Sequence, residues 1–245
     1  MELGPETSPP PSRALPYAAG AAVALCLVAA VAAVVWFSKR DLSVMEAEPA
    51  VSRTEPPPDR LWQADNRLRG NPDAPVTLIE YSDFTCGYCL KFFKETWPRL
   101  SAKYVETGKV RFLYRDYPRD PEGPAMIAAI AARCAGDQGR YWQMHDRLFA
   151  GGLDAAPLSA HAEAIGLDRA KFDTCLRDAS HRQAILRDKE DGVRLGFVGT
   201  PGFILLRTAQ AGKEKPIGLP GAFPVGVFEE EIDRLLAPVV TKNKG

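Results

Sequence analysis

The chain has 245 residues, enough for one or two domains. Its 31 Lys+Arg balance 31 Asp+Glu, a formal net charge of +0, which argues against a general nucleic-acid binder with its basic excess. With 46% hydrophobic and 25% charged residues, the composition is that of a globular protein with a core, not of a disordered chain.

The first 16 residues are Pro-rich (Pro5, Pro9, Pro10, Pro11, Pro16) and read as an extended tail. Tyr17 to Phe37 is a run of 21 residues without a charge, long enough to cross a bilayer as a helix. Tyr17 lies at one end and Trp36 and Phe37 at the other, as interface aromatics do. A cleaved signal peptide is the alternative, but its apolar region is shorter, about 7–15 residues. Cys26, inside the run, reads as a small apolar group. The flanking charges (Arg13 before, Lys39 and Arg40 after) would by themselves put the C-terminal side in the cytoplasm. Residues 38–64, with Pro49, Pro56, Pro57 and Pro58 among charged residues, read as a linker.

Residues 65–245 read as one α/β domain. Pro75 to Ser82 is β-rich, follows the turn signal Gly70-Asn71-Pro72 and predicts a buried strand. After Cys86-Gly87-Tyr88-Cys89, the residues Leu90, Phe93, Trp97, Leu100 and Tyr104 recur at helical spacing. Pro98 predicts a kink there. Lys109 to Tyr114 reads as a second strand, so the order is βαβ with a parallel pairing. Helical patterns fill Glu122 to about Leu195, with Ser159 and Asp168 as helix-opening caps. Strand character returns at Phe203 to Leu206 and more weakly at Pro216-Ile217. Val227 to Leu236 closes the domain as an amphipathic helix.

Four of the five cysteines fall in this domain: Cys86, Cys89, Cys134 and Cys175. Half a zinc site is one reading of Cys86-x-x-Cys89, but the other two cysteines stand 41 positions apart, a poor match to a second ligand pair. His145, His161 and His181 read as surface or packing residues, and no metal is assigned. A C-x-x-C where a buried strand meets a helix, inside a βαβ unit, reads as a dithiol redox site. Free N–H groups and the positive dipole end stabilise a thiolate on the first cysteine. Cys86 is then the nucleophile. Cys89, one turn on, resolves the mixed disulfide.

Gly70 to Cys89, Ala132 to Asp146 and Gly196-Phe-Val-Gly-Thr200-Pro201 together resemble three separated motifs of the DsbA-like thiol:disulfide oxidoreductases, in the same order. The resemblance spans roughly residues 65–240. It implies a thioredoxin-like α/β fold with an inserted all-helical subdomain at about 119–195, here preceded by one N-terminal transmembrane helix (17–37). It implies a cis Thr200–Pro201 bond packed on the cysteine pair, with the Thr200 backbone pairing with substrate. It implies that Glu80, on the central strand, moves protons to and from Cys89; burial near a thiol suits a carboxyl to this by raising its pKa. It also implies a structural disulfide between Cys134 and Cys175, against the alternative of two free buried thiols. No cofactor is expected beyond the redox-active Cys86–Cys89 disulfide. The expected partners are unfolded or reduced exported proteins, a membrane redox protein that resets the pair, and the membrane itself through residues 17–37, with no nucleic acid.

The pair Gly87-Tyr88 departs from the proline found there in many members and is similar to that of the disulfide isomerase DsbC. Three functions therefore stand side by side. The first is a membrane-anchored disulfide donor working outside the cytoplasm, where disulfides persist. The second is an isomerase or reductase working from the dithiol. The third is a non-enzymatic, tethered thioredoxin-fold module that binds a metal or a protein.

Overall fold

All seven residues of strand β2, Val76–Ser82, are buried. A strand covered on both faces reads as a continuous apolar run, which is why this segment stands out in the sequence. The computed structural model describes residues 59–151 and 157–238, all within one unit, Arg53–Gly245. The expected tail, the span at 17–37 with Cys26, and most of the expected linker lie outside the described residues. Among the described residues no helix is long and apolar enough to cross a membrane.

β2 is the middle strand of a five-stranded sheet ordered β1-β3-β2-β4-β5. β3 (Val110–Asp116) runs parallel to it, with Glu80 opposite Tyr114. The crossover between them is helix α1. It opens at Gly87–Lys91, widens into a π turn at Phe92–Thr96, resumes at Trp97–Leu100 and widens again at Ser101–Val105. β1 (Leu68–Arg69) pairs antiparallel with β3. β4 (Gly202–Arg207) pairs antiparallel with β2, and β5 (Ile217–Pro220) with β4.

Between β3 and β4 lie five helices among the described residues: α2 (Pro124–Gly136), α3 (Tyr141–Gly151), α4 (Leu158–Ala164), α5 (Arg169–Leu176) and α6 (Ala179–Arg194). The last helix, α7 (Val225–Leu236), packs Phe228 and Ile232 with Phe92, Leu100, Phe203 and Leu205. A second cluster, with Ile79, Tyr81, Leu113, Phe197 and Ile204, lines the opposite face. A third joins Phe84, Cys86, Cys89 and Tyr114 to the helical insertion.

Two local expectations are corrected. The linker does not extend to residue 64: Asp59–Leu61 is a 3-10 turn, and Leu61 and Trp62 are only 2% and 6% exposed. Two arginines of β3 explain this. Arg111 donates to the Trp62 carbonyl (2.8 Å), and Arg115 to the Leu61 (3.3 Å) and Gln63 (2.9 Å) carbonyls. These buried guanidiniums need acceptors, and the segment supplies them. Pro98 sits at the start of the Trp97–Leu100 segment, just after the π turn at Phe92–Thr96, so the regular α-helical ladder is interrupted beside this proline. Ser159 lies inside α4, whose N-cap is Pro157, whereas Asp168 does cap α5 by accepting from Lys171 N (3.1 Å).

The insertion is tied to the sheet by a buried charge network. Arg133 of α2 bridges Asp116 of β3 and Asp188 of α6, both at 2.7 Å. Arg67 reaches the same two carboxylates and Asp65.

Candidate active site

The chain leaves β2 at Ser82 and turns into α1 over three residues. Asp83 fixes that turn. Its buried carboxylate accepts from Thr85 N (2.7 Å), Thr85 Oγ1 (2.6 Å) and Arg119 N (2.9 Å), and its carbonyl accepts from Cys86 N (3.0 Å). Cys86 is the N-cap of α1, with extended backbone (φ −84, ψ 120) and no side-chain capping bond. Its sulfur therefore sits at the helix end where N–H groups lack intrahelical partners. Cys89, one turn on, is 0% exposed. Both are free thiols.

The second segment of the site is the loop before β4. Its Thr200–Pro201 bond is cis. The Cys86 thiol donates to the Thr200 carbonyl, Sγ···O 3.3 Å. Two contacts hold the loop. Tyr117 Oη donates to the Phe197 carbonyl (2.8 Å), and the Phe197 ring lies so close to Gly202 that a β-carbon there would come within 2.5 Å of it. Tyr88 and Val198, one from each segment, are exposed at 69% and 100%.

The two thiols are electrostatically opposite. Cys86 is lowered to about 5, first because the Cys89 thiol donates to its sulfur. Burial opposes this, while contact with Thr200 and the backbone N–H groups of Cys89 and Tyr88 add to it. The Thr200 carbonyl accepts from the thiol form, so the Cys89 thiol and the N–H groups are the donors a thiolate retains. Cys89 is pushed far up, first by burial, then by its bond to Cys86 and by Glu80. Glu80 lies on β2 between Tyr114 and Phe203, 3% exposed. Burial pushes its carboxyl up to about 8, with Ser82 opposing and Cys86 adding. It is therefore protonated at neutral pH and sits electrostatically coupled to Cys89.

Gly87 and Tyr88 form the exposed first turn between the cysteines. Cys134 of α2 and Cys175 of α5 form a disulfide within the helical insertion. His145 is buried among Phe84, Phe93, Tyr114, Trp142 and Phe149, and burial lowers its pKa against the pull of Asp146, so it is a neutral core residue. His161 is buried in α4, and His181 lies beside the disulfide. Sequence reasoning passed over Asp83, although Asp-x-Thr ahead of the cysteine pair carries the signature of an Asx turn. It also set His181 aside as a surface or packing residue, although it follows Cys175 closely in sequence.

Comparison with known proteins agrees with this geometry. A family model described as thioredoxin matches residues 63–214. Among solved structures, alpha-DsbA1 of Wolbachia pipientis superposes with a TM-score of 0.62 at 25% identity, covering 73% of this chain and 95% of that one. A thioredoxin-like oxidoreductase of Silicibacter pomeroyi gives 0.59 at 26%, covering 72% and 96%. The Na(+)/H(+) antiporter NhaA 1 of Salinispora arenicola is 38% identical over 152 residues, 60% of this chain and 22% of the antiporter. The chain thus spans about a fifth of the length of the curated relatives that match first.

Proposed function

Because the chain belongs to the thioredoxin family and has its DsbA-like form, we propose that it is a thiol:disulfide oxidoreductase that donates the Cys86–Cys89 disulfide to reduced exported proteins. The observation that carries this is the asymmetry of the pair: a thiolate-favouring Cys86 at a helix end, a fully buried Cys89, and a neutral carboxyl beside it.

In the oxidised protein a substrate thiolate attacks Cys86 Sγ. The S–S bond breaks and its electron pair leaves with Cys89. Burial makes that thiolate costly, and Glu80 is placed to give it a proton. A second substrate thiolate then attacks the substrate sulfur of the mixed disulfide. Cys86 departs as a thiolate held by the N–H groups of α1, a good leaving group because its pKa is low. The substrate has lost two electrons and gained a disulfide; the pair holds both electrons as a dithiol. Thr200 lies beside the reacting sulfur and presents backbone to an extended peptide, with exposed Tyr88 and Val198 offering apolar contact.

The rest of the proposal follows from that direction. The domain works outside the cytoplasm, held by residues 17–37, and a membrane redox protein reoxidises it. The uncharged run and the Cys134–Cys175 disulfide support this placement, while Lys39 and Arg40 pull the other way. Sodium–proton exchange is not carried over from the antiporter relatives. Gly87-Tyr88 favours a second reading, in which the same pair works from the dithiol as an isomerase or reductase.

The test mixes the oxidised full-length chain with an unfolded, reduced protein in the absence of oxygen. The substrate should gain disulfides as Cys86–Cys89 is reduced, and Cys86→Ser should abolish the transfer. Equal transfer by Cys86→Ser would refute the assignment. A C-terminal reporter active only outside the cytoplasm checks the placement.

A further inference from the structure

The Cys134–Cys175 disulfide has unusual company. Cys134 is near the end of α2, Asp137 caps that helix, Cys175 is near the end of α5 and His181 is in the first turns of α6. The two sulfurs and a ring nitrogen of His181 all lie within 4.8 Å of one another. His181 Nε2 is 2.8 Å from Asp137 Oδ2. The same oxygen is 3.4 Å from Cys175 Sγ. A disulfide sulfur has no proton to give, so that last approach is not a hydrogen bond. Three helices thus aim two sulfurs, one imidazole and one carboxylate at a common point.

We propose that Cys134, Cys175, His181 and Asp137 form a metal site for a zinc-like divalent ion, closed while the 134–175 disulfide exists and opened by its reduction. Two thiolates, an imidazole and a carboxylate are a borderline-soft, four-donor set, which suits tetrahedral zinc and not calcium or magnesium. The rearrangement required is small. Metal–sulfur bonds of about 2.3 Å in a tetrahedron place the sulfurs about 3.8 Å apart. The Cα atoms of the pair, 5.7 Å apart, already suit a shared ion. The His181–Asp137 contact opens by a few tenths of an ångström to admit it.

The chemistry balances with a dithiol as reductant. Its thiolate attacks Cys175, the partly exposed sulfur, because Cys134 is buried. The S–S bond breaks, Cys134 leaves as a thiolate, and the reductant's second thiol resolves the mixed disulfide. The reductant ends as a disulfide and the protein as a dithiol. A divalent ion then displaces the two thiol protons. The coordinated ion ties α2 to α5 as the disulfide did and adds α6 through His181.

The experiment uses the full-length chain with Cys26, Cys86 and Cys89 changed to serine, so that Cys134 and Cys175 are the only thiols. After reduction with a phosphine that is then removed, Cd²⁺ should bind at one equivalent with a thiolate-to-cadmium charge-transfer band. Zn²⁺ should raise the melting temperature of the reduced protein. His181→Ala should weaken Zn²⁺ at least about tenfold, and Asp137→Asn should weaken it measurably. The unreduced protein should take up neither metal at this site. If reduction unfolds the protein, Zn²⁺ should restore its far-ultraviolet circular dichroism. The proposal is overturned by no uptake after reduction, by equal uptake before it, by affinity indifferent to His181→Ala, or by failure of Zn²⁺ to raise stability.

Discussion

Cys86 and Thr200 stand 114 positions apart in sequence, and the thiol of one donates to the backbone carbonyl of the other at 3.3 Å. The contact joins the first turn of α1 to the loop before β4. It places the reacting sulfur next to main chain that an extended substrate reaches. It also means that the sulfur gives up a carbonyl acceptor when it ionises, and the Cys89 thiol together with the N–H groups of the helix end holds the thiolate.

Alkylation of Cys86 in the reduced protein should titrate with a midpoint near 5, against 9.0 for an ordinary thiol. The Cys89 thiol is the largest cause of that lowering, so Cys89→Ala should move the midpoint up by more than about one unit. Stopped-flow alkylation between pH 3 and 9 reads both. A midpoint above 8 in the parent protein would remove the electrostatic basis of the account.

Glu80 makes a pH-dependent cost. Its carboxyl is raised from 4.5 to about 8, so the folded state holds a proton that the unfolded chain has already released. Stability therefore falls as pH rises from 4.5 to about 8, by up to about 1.4 kcal/mol per unit, and flattens above. Glu80→Gln removes this cost. Denaturant unfolding of the oxidised protein should show no gain for the variant at pH 4 and a gain of a few kcal/mol at pH 8. A constant difference across pH would contradict it. The same variant should slow the release of Cys89 in disulfide transfer.

The Cys134–Cys175 bond closes a loop with a sequence separation of 41. In the chain-entropy account that is worth about 4 kcal/mol at most. Replacing both cysteines by alanine should lower the melting temperature by roughly 10 °C while leaving the Cys86 titration in place. A coincident loss of the low Cys86 midpoint would show that the two pairs are not independent.

Arg133→Met should cost about 3–5 kcal/mol, because it leaves the fully buried Asp116 and the nearby Asp188 short of a partner. Arg99→Ala, which breaks an exposed pair with Glu229, should cost under about 1 kcal/mol. Chemical denaturation of the two variants reads the contrast, and equal losses would deny the network its place.

The strands were legible where burial on both faces makes a continuous apolar run, as in β2, β3 and β4, and the insertion where Ala, Ile and Met recur at helical spacing. Cys86-x-x-Cys89 at a strand–helix junction announced the chemistry, because that motif has its own local physics. The two-residue strand β1 carries no periodicity to read. The fold of Leu61 and Trp62 depends on Arg111 and Arg115, about 50 residues on, and proline and charge disguised it. His181 comes to Cys134 only through the packing of α2, α5 and α6, which no spacing rule encodes.

The most direct measurement is the reduction potential of Cys86–Cys89 in the full-length chain, equilibrated in glutathione buffers. A thiolate held at a midpoint near 5 stabilises the reduced form at neutral pH, so the pair should be strongly oxidising, near about −120 mV. A value near about −270 mV, that of a reductant, would contradict disulfide donation and leave Gly87-Tyr88 as the mark of a protein working from the dithiol.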